Sequence, residues 1–464
     1  MKNDYLPKHS KKTKIICTIG PASIQKKIID KMDKAGMNGV RINTAYGNLD
    51  QYKSIIENVR DIAETPIILD IKGPEIRLYS KEEKYVQKNE FIKIGFKNED
   101  IRFNHDFYDE IGPGDEVYID NGKIWTRIVG KNEGIVKLKV IDGGKISNGN
   151  GVNIPNKDFI VSTLSEKDLK IIEFAKELGV EYIALSFTRN AEDVRKVKES
   201  GYKGAIIAKI ENSKGVTNFD EILEIAECIM IARGDLGVEI ETERVPMIQK
   251  TIIKKCNQEG KTVITATEML ESMINDHIPS RAEVSDIANA ILDGTDAIML
   301  SGETSIGKYP IESVSMMSRI ARETEKSVLS NVVDSKFINI TDTISKAVQR
   351  ISTNMPLDKI VAITRSGYTA RMIARLKLSQ PIIAVTSDEI VKKQLKLVYG
   401  VYPMKMEYHK KDDPILVVAK KLHSKKMIED KETVLFTAAF RTTQEHASNL
   451  IEIHNVSEFT HSEL

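Results

Sequence analysis

Three charged residues on two adjoining apolar segments have the types that phosphoryl transfer requires. Lys209 and Glu211 lie two residues apart in GAIIAKIE, so in a β-strand their side chains would share a face. Asp235 ends the next such segment, CIMIARGD. Carboxylate oxygens suit Mg²⁺ or Mn²⁺, and a neighbouring ammonium can neutralise charge on a transferring phosphoryl group or an enolate. The pattern predicts a divalent-metal site with a catalytic lysine. The alternative is that Lys209 and Glu211 form only a structural ion pair.

Other short apolar segments of the chain also end in polar residues. Any one of these could be a solvated loop residue or a helix cap. At the carboxyl ends of the strands of one barrel, however, they would converge on one mouth, where barrel enzymes carry their active sites. The residues concerned are Arg41, Asn43, Asp70, Lys72, Arg77, Ser186, Phe187, Arg233, Thr267, Glu268, Ser301 and Glu303. The cations among them predict a site for phosphates.

The elements that must position these residues alternate between strand-like and helix-like patterns. Eight apolar, β-branched segments, as expected for buried parallel strands, are separated by helix-like segments. Eight such units predict an α/β fold, a closed (β/α)₈ barrel, over residues 1–73 and 160–331. Residues 74–159 change to short strands between turns, which predicts an inserted small β-barrel domain that covers the mouth as a lid. Residues 332–464 predict a C-terminal open α/β domain.

Composition and charge narrow the class of protein. The chain has 464 residues, of which 41% are hydrophobic, enough for several domains with sizeable cores. A formal net charge of +1 argues against a nucleic-acid binder. The sequence shows no signal peptide and no apolar run near the roughly 20 residues of a membrane span, so we expect a cytoplasmic protein without membrane contact. Cys17, Cys228 and Cys256 are expected to be reduced structural thiols.

Longer motifs run through the predicted barrel in a fixed order: KIICTIGP, LDIKGPEIR, GVNIP, AKIEN, IMIARGDLGVEI, TATEMLESMI and PSRAEVSDIANAILDGTDAIMLSGET. They resemble the motifs of the pyruvate kinase family. The resemblance is dense from Lys14 to Ala321, moderate in the C-terminal region and weak in the inserted region. It implies a glycolytic phosphotransferase that acts on phosphoenolpyruvate and ADP, uses Mg²⁺ or Mn²⁺ and K⁺, and assembles as a homotetramer.

The resemblance also implies a role for each candidate at the mouth. Glu211 and Asp235 would hold the divalent metal that bridges phosphoenolpyruvate, and Lys209 would stabilise the transferring phosphoryl group and the enolate. Arg41 would contact the phosphoryl group. Ser301 would belong to the proton relay that converts enolpyruvate to pyruvate. The residues that would surround the substrate, mainly its carboxylate, are Ala232, Arg233, Gly234, Asp235 and Thr267.

The chain departs from the family where the nucleotide would bind. Arg77 matches a contact to a nucleotide phosphate. Tyr46 replaces a histidine expected near the nucleotide, and Asn150 replaces a lysine expected there. The loss of one charged phosphate contact costs roughly 1.5–3 kcal/mol. In addition, Glu268 replaces a glutamine and adds a negative charge near the site.

The potassium site shows a second departure. Asn43, Asp70 and the carbonyl of Ile71 match ligands of a monovalent cation, and Glu75 matches the acidic position that accompanies potassium dependence. Ala45, however, removes a hydroxyl ligand, and Ile71 stands where the family has a threonine. The resemblance therefore predicts a K⁺ site that has lost part of its ligand set.

Three functions remain open at this point. The first is a pyruvate kinase that uses ADP. The second is a diverged barrel enzyme that uses the metal and Lys209 for enolate chemistry on a keto acid, or that uses another phosphoryl acceptor. The third is a non-catalytic binder of a phosphorylated metabolite, which would not need Lys209, Glu211 and Asp235 together. We adopt the first, because one barrel mouth tolerates much loop change.

The C-terminal region contains one further candidate site. Thr364, Ser366 and Thr369 lie between a predicted strand and a predicted helix, where hydroxyl and N–H groups favour phosphate. In relatives the matching loop binds a phosphorylated effector. The alternative is ordinary helix capping, and the facing segment, residues 438–443, lacks the glycines expected opposite an effector.

Overall fold

The computed structural model describes residues 11–73, 75–120, 122–155, 157, 163–330, 339–407, 413–439 and 448–460. The strands, in chain order, are β1 (Lys14–Thr18), β2 (Gly39–Asn43), β3 (Ile67–Ile71), β4 (Leu78–Ser80), β5 (Lys84–Val86), β6 (Phe91–Gly95), β7 (Ile101–Phe103), β8 (Glu116–Ile119), β9 (Ile124–Asn132), β10 (Ile135–Asp142), β11 (Gly144–Ile146), β12 (Val152–Asn153), β13 (Tyr182–Leu185), β14 (Ala205–Ile210), β15 (Cys228–Ala232), β16 (Thr262–Ala266), β17 (Ala297–Leu300), β18 (Lys359–Ile363), β19 (Ile382–Thr386), β20 (Val401–Lys405), β21 (Thr433–Ala438) and β22 (Leu450–Asn455).

The α-helices are α1 (Lys26–Ala35), α2 (Leu49–Ile62), α3 (Glu166–Glu177), α4 (Ala191–Glu199), α5 (Ser213–Thr217), α6 (Phe219–Ile225), α7 (Arg233–Glu239), α8 (Val245–Glu259), α9 (Arg281–Leu292), α10 (Gly302–Ser305), α11 (Pro310–Glu325), α12 (Ile340–Asn354), α13 (Tyr368–Ala374), α14 (Glu389–Leu395), α15 (Pro414–Ser424) and α16 (Ser457–Thr460). Within the described ranges, short 3₁₀ turns span Tyr108–Glu110, Thr242–Arg244 and Glu271–Ile274.

Eight parallel strands close into a barrel in the order β1, β17, β16, β15, β14, β13, β3 and β2. Most of their residues are buried, because one face of each strand lines the barrel interior and the other packs against helices. One apolar cluster, which includes Ile16, Ile68 and Ile207, fills the interior, and a larger one lies between strands and helices. The predicted (β/α)₈ barrel is confirmed.

Local capping fixes where several barrel helices begin. The Ser165 side chain accepts a hydrogen bond from Asp168 N, and the Ser280 side chain accepts one from Glu283 N. In return, the carboxylate of each acidic residue accepts a hydrogen bond from the backbone N–H of its serine. These capping boxes satisfy backbone N–H groups that a helix start leaves unpaired. They make α3 and α9 begin at defined points beside the barrel mouth.

The inserted region forms a second sheet in the order β12, β8, β9, β10, β6, β7 and β4. An isolated bridge between Arg77 and Gly151 brings its two edges together, so the sheet is nearly closed. Its core includes the rings of Phe96, Phe103 and Phe107, whose centroids lie 4.9–5.0 Å apart. This region, called the lid below, has the small β-barrel form that the sequence predicts.

The C-terminal region forms a five-stranded sheet in the order β20, β19, β18, β21 and β22, in which β22 is antiparallel to β21. It contacts the amino-terminal side of the barrel, where Lys377 Nζ lies 2.8 Å from Oδ1 of Asp296 and Lys14 Nζ donates to the Val401 carbonyl at 2.7 Å. The open α/β prediction is confirmed, while the boundaries assigned to the three domains stay predictions. In the described ranges, no helix combines the length and the apolar character that a membrane crossing needs.

Candidate active site

Lys209 lies at the centre of a buried polar cluster at the carboxyl end of the barrel strands. Its Nζ is 2.9 Å from Oε1 of Glu211 and 3.2 Å from Oδ2 of Asp70, and it donates to Oγ of Ser186 at 2.7 Å. Lys209 is 6% exposed and Glu211 is 1% exposed. The two-residue spacing thus places both side chains in one cluster, and the ammonium is held among three oxygen-bearing side chains.

Arg41 brings a second cation to the same cluster. Its Nε lies 2.7 Å from Oδ2 of Asp70, and its guanidinium donates to Oγ1 of Thr18 at 3.2 Å. The strand register explains the contact, because Asn43 of β2 pairs with Asp70 of β3, and Arg41 lies two residues before Asn43 on the same face. Asp70 therefore bridges Arg41 and Lys209.

Burial and charge set the protonation of this cluster. Burial raises the pKa of Glu211 to about 7 against the opposing ammonium of Lys209, and the carboxylate of Asp235 raises it further. Burial also raises the pKa of Asp235, again with Lys209 opposing. Burial would raise the pKa of Asp70, but Lys209 and Arg41 outweigh it and lower that pKa. Burial would lower the pKa of Lys209, but the carboxylates of Asp70 and Glu211 outweigh it and raise that pKa.

The carboxylates Glu211 and Asp235 fit a Mg²⁺ ion better than a structural zinc. Across the described residues, no group of three or more His, Cys, Asp or Glu side chains is arranged to hold a metal ion. Mg²⁺ needs no such group, because proteins commonly hold it with one or two carboxylates while substrate phosphate oxygens and waters supply the other ligands. Burial raises the pKa of both carboxyl groups, so it disfavours their charged forms. A divalent ion held by these two carboxylates stays a prediction.

The first turn of α7 and the end of β16 form a second polar wall. α7 begins directly after β15, and Gly234 N donates to Oγ1 of Thr267 at 2.8 Å. The same hydroxyl donates to the Ala266 carbonyl at 2.6 Å. Ala232, the last residue of β15, is buried, and the Arg233 side chain faces α9, where it lies 2.6 Å from Oδ2 of Asp286. The binding of a substrate carboxylate here stays a prediction.

Ser301 follows β17 and has a buried hydroxyl with no hydrogen-bond partner among the described residues. Its backbone N–H donates to Oε2 of Glu303 at 2.7 Å, and the other oxygen of Glu303 accepts from Leu270 N at 3.0 Å. Glu303 is therefore occupied by the loops that follow β16 and β17. A contact between the Ser301 hydroxyl and a substrate stays a prediction.

Of the residues predicted to contact the nucleotide, two make hydrogen bonds within the protein and the third is exposed to solvent. Arg77 lies 2.7 Å from Oε2 of Glu75 and donates to the Gly149 carbonyl at 2.5 Å. The Asn150 side chain accepts from Ser147 N at 2.5 Å and donates to Oδ1 of Asp120 at 3.1 Å. Asn150 therefore supports a turn of the lid.

Tyr46, the third residue predicted to meet the nucleotide, is 73% exposed. Its backbone carbonyl accepts from the Tyr52 hydroxyl at 2.6 Å, which ties the loop after β2 to α2. A tyrosine does not supply the imidazole that the family resemblance leads us to expect at this position.

The residues predicted to hold K⁺ also have protein partners. Asn43 Oδ1 accepts from Ala45 N at 3.0 Å, and the Ile71 carbonyl accepts from Ser186 N at 3.2 Å. Asp70 is shared between two cations, as described above. A K⁺ ion at these atoms stays a prediction.

Sequence reasoning missed Lys167, which joins the cations near the mouth. Its Nζ donates to the Thr44 carbonyl at 2.7 Å. Burial lowers the pKa of Lys167 against the opposing Asp168, and the guanidinium of Arg77 lowers it further. Burial and then Arg77 lower the pKa of Lys72 as well. The signal was present in LSEKD, where Lys167 lies inside the capping box that starts α3 beside β3.

The predicted effector loop lies at the start of α13. Thr364 N donates to the Val385 carbonyl at 2.9 Å, the Ser366 carbonyl accepts from Arg371 at 3.2 Å, and the Thr369 hydroxyl bonds to that of Ser448. Residues 440–443 of the facing segment lie outside the described residues. Effector binding stays a prediction.

Comparison with known proteins identifies the family. Residues 10–314 match the family model of the pyruvate kinase barrel domain, and residues 342–454 match that of the pyruvate kinase alpha/beta domain. The pyruvate kinase of Thermococcus litoralis is 42% identical, over 93% of this chain and 95% of its own. The pyruvate kinase of Sporosarcina psychrophila is 40% identical over 97% of this chain and 81% of its own, and that of Clostridium perfringens is 37% identical over 96% and 100%. The family prediction is confirmed: the chain belongs to the pyruvate kinase family.

Proposed function

We propose that this protein transfers the phosphoryl group of phosphoenolpyruvate to ADP at the barrel mouth, giving pyruvate and ATP. The observation that carries the proposal is the contact of Lys209 with Glu211 and Asp70 beside Arg41. It concentrates two cations where a phosphoryl group and an enolate would lie. Phosphoryl transfer depends on positioning and charge neutralisation more than on covalent chemistry, and membership of the family supports the same reaction.

Glu211 and Asp235 would hold the divalent cation. Both supply hard oxygen ligands, and burial disfavours their charged forms, as their raised pKa values indicate. When bound, the ion would neutralise charge on the phosphoryl oxygens and thereby lower the barrier to transfer.

The protein's own side chains would act on the two halves of the substrate. Arg41 and Lys209 would donate to the phosphoryl oxygens, and Lys209 would then stabilise the enolate oxygen that remains. The N–H groups at the start of α7 and the Thr267 hydroxyl would bind the carboxylate. The enolate must take up a proton at its methylene carbon, and the Ser301 hydroxyl, which has no hydrogen-bond partner among the described residues, would pass one on.

The phosphates of ADP would bind the three cations Lys72, Arg77 and Lys167. Arg77 would first give up its contact with the Gly149 carbonyl. Tyr46 and Asn150 add no positive charge, so we expect weak ADP binding. Asn43, Asp70 and the Ile71 carbonyl would hold K⁺ without the hydroxyl that Ala45 lacks, so we expect a weak response to potassium.

The commitment of Asn150 to the lid turn favours a second candidate, metal-dependent enolisation of a keto acid without ADP. Two assays separate the candidates: pyruvate formation from phosphoenolpyruvate and ADP with Mg²⁺, with and without K⁺, and metal-dependent exchange of the methyl protons of pyruvate. Activity in both supports the kinase. Exchange without ADP-dependent product supports the second candidate.

A lysine variant tests the site itself. Lys209→Ala is expected to abolish both signals, and Lys203→Ala, an exposed residue before the same strand, should leave them unchanged. A folded Lys209→Ala protein with unchanged rates would overturn the assignment. Homotetramer assembly and a cytoplasmic location are proposed from the family resemblance, and light scattering on the purified protein tests the former.

A further inference from the structure

Two successive non-glycine residues at the candidate carboxylate pocket adopt left-handed backbone conformations. Thr267 has φ +67° and Glu268 has φ +52°. Such conformations cost about 1–2 kcal/mol each for residues with a Cβ atom, and they persist only where surrounding contacts hold them. The conformation turns the Thr267 hydroxyl toward Gly234 N, 2.8 Å away. Something in this structure must therefore hold the loop after β16.

The Arg233 side chain supplies that support. One guanidinium nitrogen donates to the carbonyls of both left-handed residues, to Thr267 O at 2.8 Å and to Glu268 O at 2.9 Å. The other lies 2.6 Å from Oδ2 of Asp286 on α9 and donates to Oε1 of Gln249 at 3.4 Å. Arg233 is 7% exposed, so the fork is held in one orientation.

The position of Arg233 in the chain makes this contact more than a structural ion pair. Arg233 is the first residue of α7, the helix that also carries Gly234 and Asp235. Its side chain holds the loop that carries Thr267. A single residue thus fixes both walls of the pocket relative to each other. A lysine could not do the same, because its single ammonium lacks the planar fork that reaches two carbonyls and a carboxylate together.

We propose that Arg233 and Asp286 form a positioning pair that sets the distance between the Thr267 hydroxyl and the start of α7, and so determines affinity for the substrate carboxylate. This inference rests on the proposed function of the mouth. Neither residue needs to touch the substrate. Asp286 acts by fixing the guanidinium, and its side chain, 40% exposed, borders a cavity of about 750 Å³ outside the barrel. Replacement of Asp286 is therefore expected to leave the fold intact.

The test variants are Arg233→Lys and Asp286→Asn. The control is Asp220→Asn, which removes a 2.5 Å ion pair between Asp220 on α6 and Lys255 on α8. Loss of a contact that is made equally in the ground state and the transition state raises KM and leaves kcat unchanged. We expect KM for phosphoenolpyruvate to rise about 10-fold or more in Arg233→Lys and about 3-fold or more in Asp286→Asn. The kcat and the KM for ADP should hardly change. Asp220→Asn should match the wild type.

Inhibition by two small molecules distinguishes a specific effect on the carboxylate pocket from a general loss of structure, because a general loss would weaken both inhibitors. Inhibition by pyruvate, which has the carboxylate, should weaken in both variants, while inhibition by inorganic phosphate should stay as in the wild type. Equal weakening toward both, or a folded Arg233→Lys protein with unchanged KM for phosphoenolpyruvate, would overturn the inference. Thermal melting shows whether a variant folds. If Arg233→Lys does not fold, the result for Asp286→Asn decides whether the inference holds.

The same variants remain informative if the proposed function fails. A wild-type protein that forms no pyruvate contradicts the kinase proposal, and the carboxylate pocket is then tested by binding alone. Direct calorimetric binding of pyruvate with Mn²⁺ then replaces KM as the measurement. Weaker binding in Asp286→Asn than in Asp220→Asn supports the positioning pair, and equal binding overturns it.

Discussion

Nε of Arg41 lies 2.7 Å from Oδ2 of Asp70, and Nζ of Lys209 lies 3.2 Å from the same oxygen. One carboxylate therefore orients both cations that would meet the phosphoryl group. Burial alone would favour its neutral form, but the two cations keep its pKa low. Asp70 is 3% exposed, so this arrangement is shielded from solvent.

Asp70→Asn should reduce phosphoryl transfer strongly. The amide keeps the shape but removes the charge that orients Arg41 and Lys209. The loss is roughly 1.5–3 kcal/mol, or about 10- to 150-fold in kcat/KM for phosphoenolpyruvate. Initial rates of pyruvate formation measure it. Asp61→Asn is the control, because it removes an exposed 2.6 Å pair with Lys26. An Asp70→Asn enzyme with wild-type kcat/KM would contradict the role, and loss of any potassium response in this variant would identify Asp70 as a K⁺ ligand too.

Asn150→Lys should improve ADP binding. The added ammonium would lie next to Gly149, whose carbonyl Arg77 contacts at 2.5 Å, and so near the cations expected to bind phosphates. A charged phosphate contact is worth roughly 1.5–3 kcal/mol, and the turn loses side-chain bonds, so we expect KM for ADP to fall about 3- to 10-fold. KM for phosphoenolpyruvate should stay constant.

Asn148→Lys is the matched control for this change. It adds the same charge to the same turn and loses a comparable bond, in which Asn148 Oδ1 accepts from Ser80 N at 3.3 Å. If both variants lower KM for ADP equally, the effect is general attraction. If Asn150→Lys leaves KM for ADP unchanged, the nucleotide does not approach this turn.

The barrel and part of its mouth could be predicted from the sequence because they follow from local periodicity. Each apolar strand, and each helix cap between strands, can be recognised from its own segment of the sequence. Lys209 and Glu211 are predicted to share a face because they lie two residues apart in one strand. The pairing of Arg41 with Asp70 depends on the register of β2 against β3, which no local pattern gives.

Other features of the site depend on how distant segments pack. Lys167 reaches the Thr44 carbonyl only because α3 lies beside the barrel mouth. The direction of the Arg233 side chain is set by α9, and the left-handed conformation of Thr267 is hidden because the residue is not glycine. The sequence therefore supplies the residue types, while tertiary contacts decide which of them meet.

Lys14→Met should change how stability depends on pH. Lys14 is 3% exposed at the contact between barrel and C-terminal domain, and its Nζ lies 4.6 Å from the centroid of the Tyr402 ring. Burial lowers its pKa from an ordinary value of 10.5 to about 7, with Glu325 opposing. Between these two pH values the unfolded chain binds more protons than the folded one, so the free energy of unfolding rises with pH by up to about 1.4 kcal/mol per unit.

Methionine removes this contribution, so the stability of the wild type relative to Lys14→Met should increase between about pH 7 and about pH 9.5. Urea denaturation across that range measures the difference. Lys26→Met is the control, because the Lys26 side chain is 56% exposed and pairs with Asp61 at 2.6 Å. A flat difference for Lys14→Met would show that the ammonium stays charged in the folded protein.

Asn153→Ala should loosen the lid. The Asn153 side chain on β12 donates to Oε1 of Glu239 at 3.0 Å, and Glu239 ends α7, the helix whose first turn carries Gly234 and Asp235. The bond therefore links the lid to the helix that holds the metal and carboxylate positions. Hydrogen bonds to charged groups contribute about 1.5–3 kcal/mol, part of which water replaces, so we expect kcat/KM to fall about 3- to 10-fold for both substrates.

The same change should raise the rate at which trypsin cuts the lid, because an undocked lid exposes its lysines more often. Glu83→Gln provides the control, since it removes a 2.7 Å pair with Lys145 inside the lid, keeps every lysine of the lid and leaves the contact with α7 untouched. Faster cleavage with unchanged kcat/KM would separate lid docking from catalysis. Cleavage at the control rate would mean that Asn153 does not hold the lid against α7, and that other contacts hold it there.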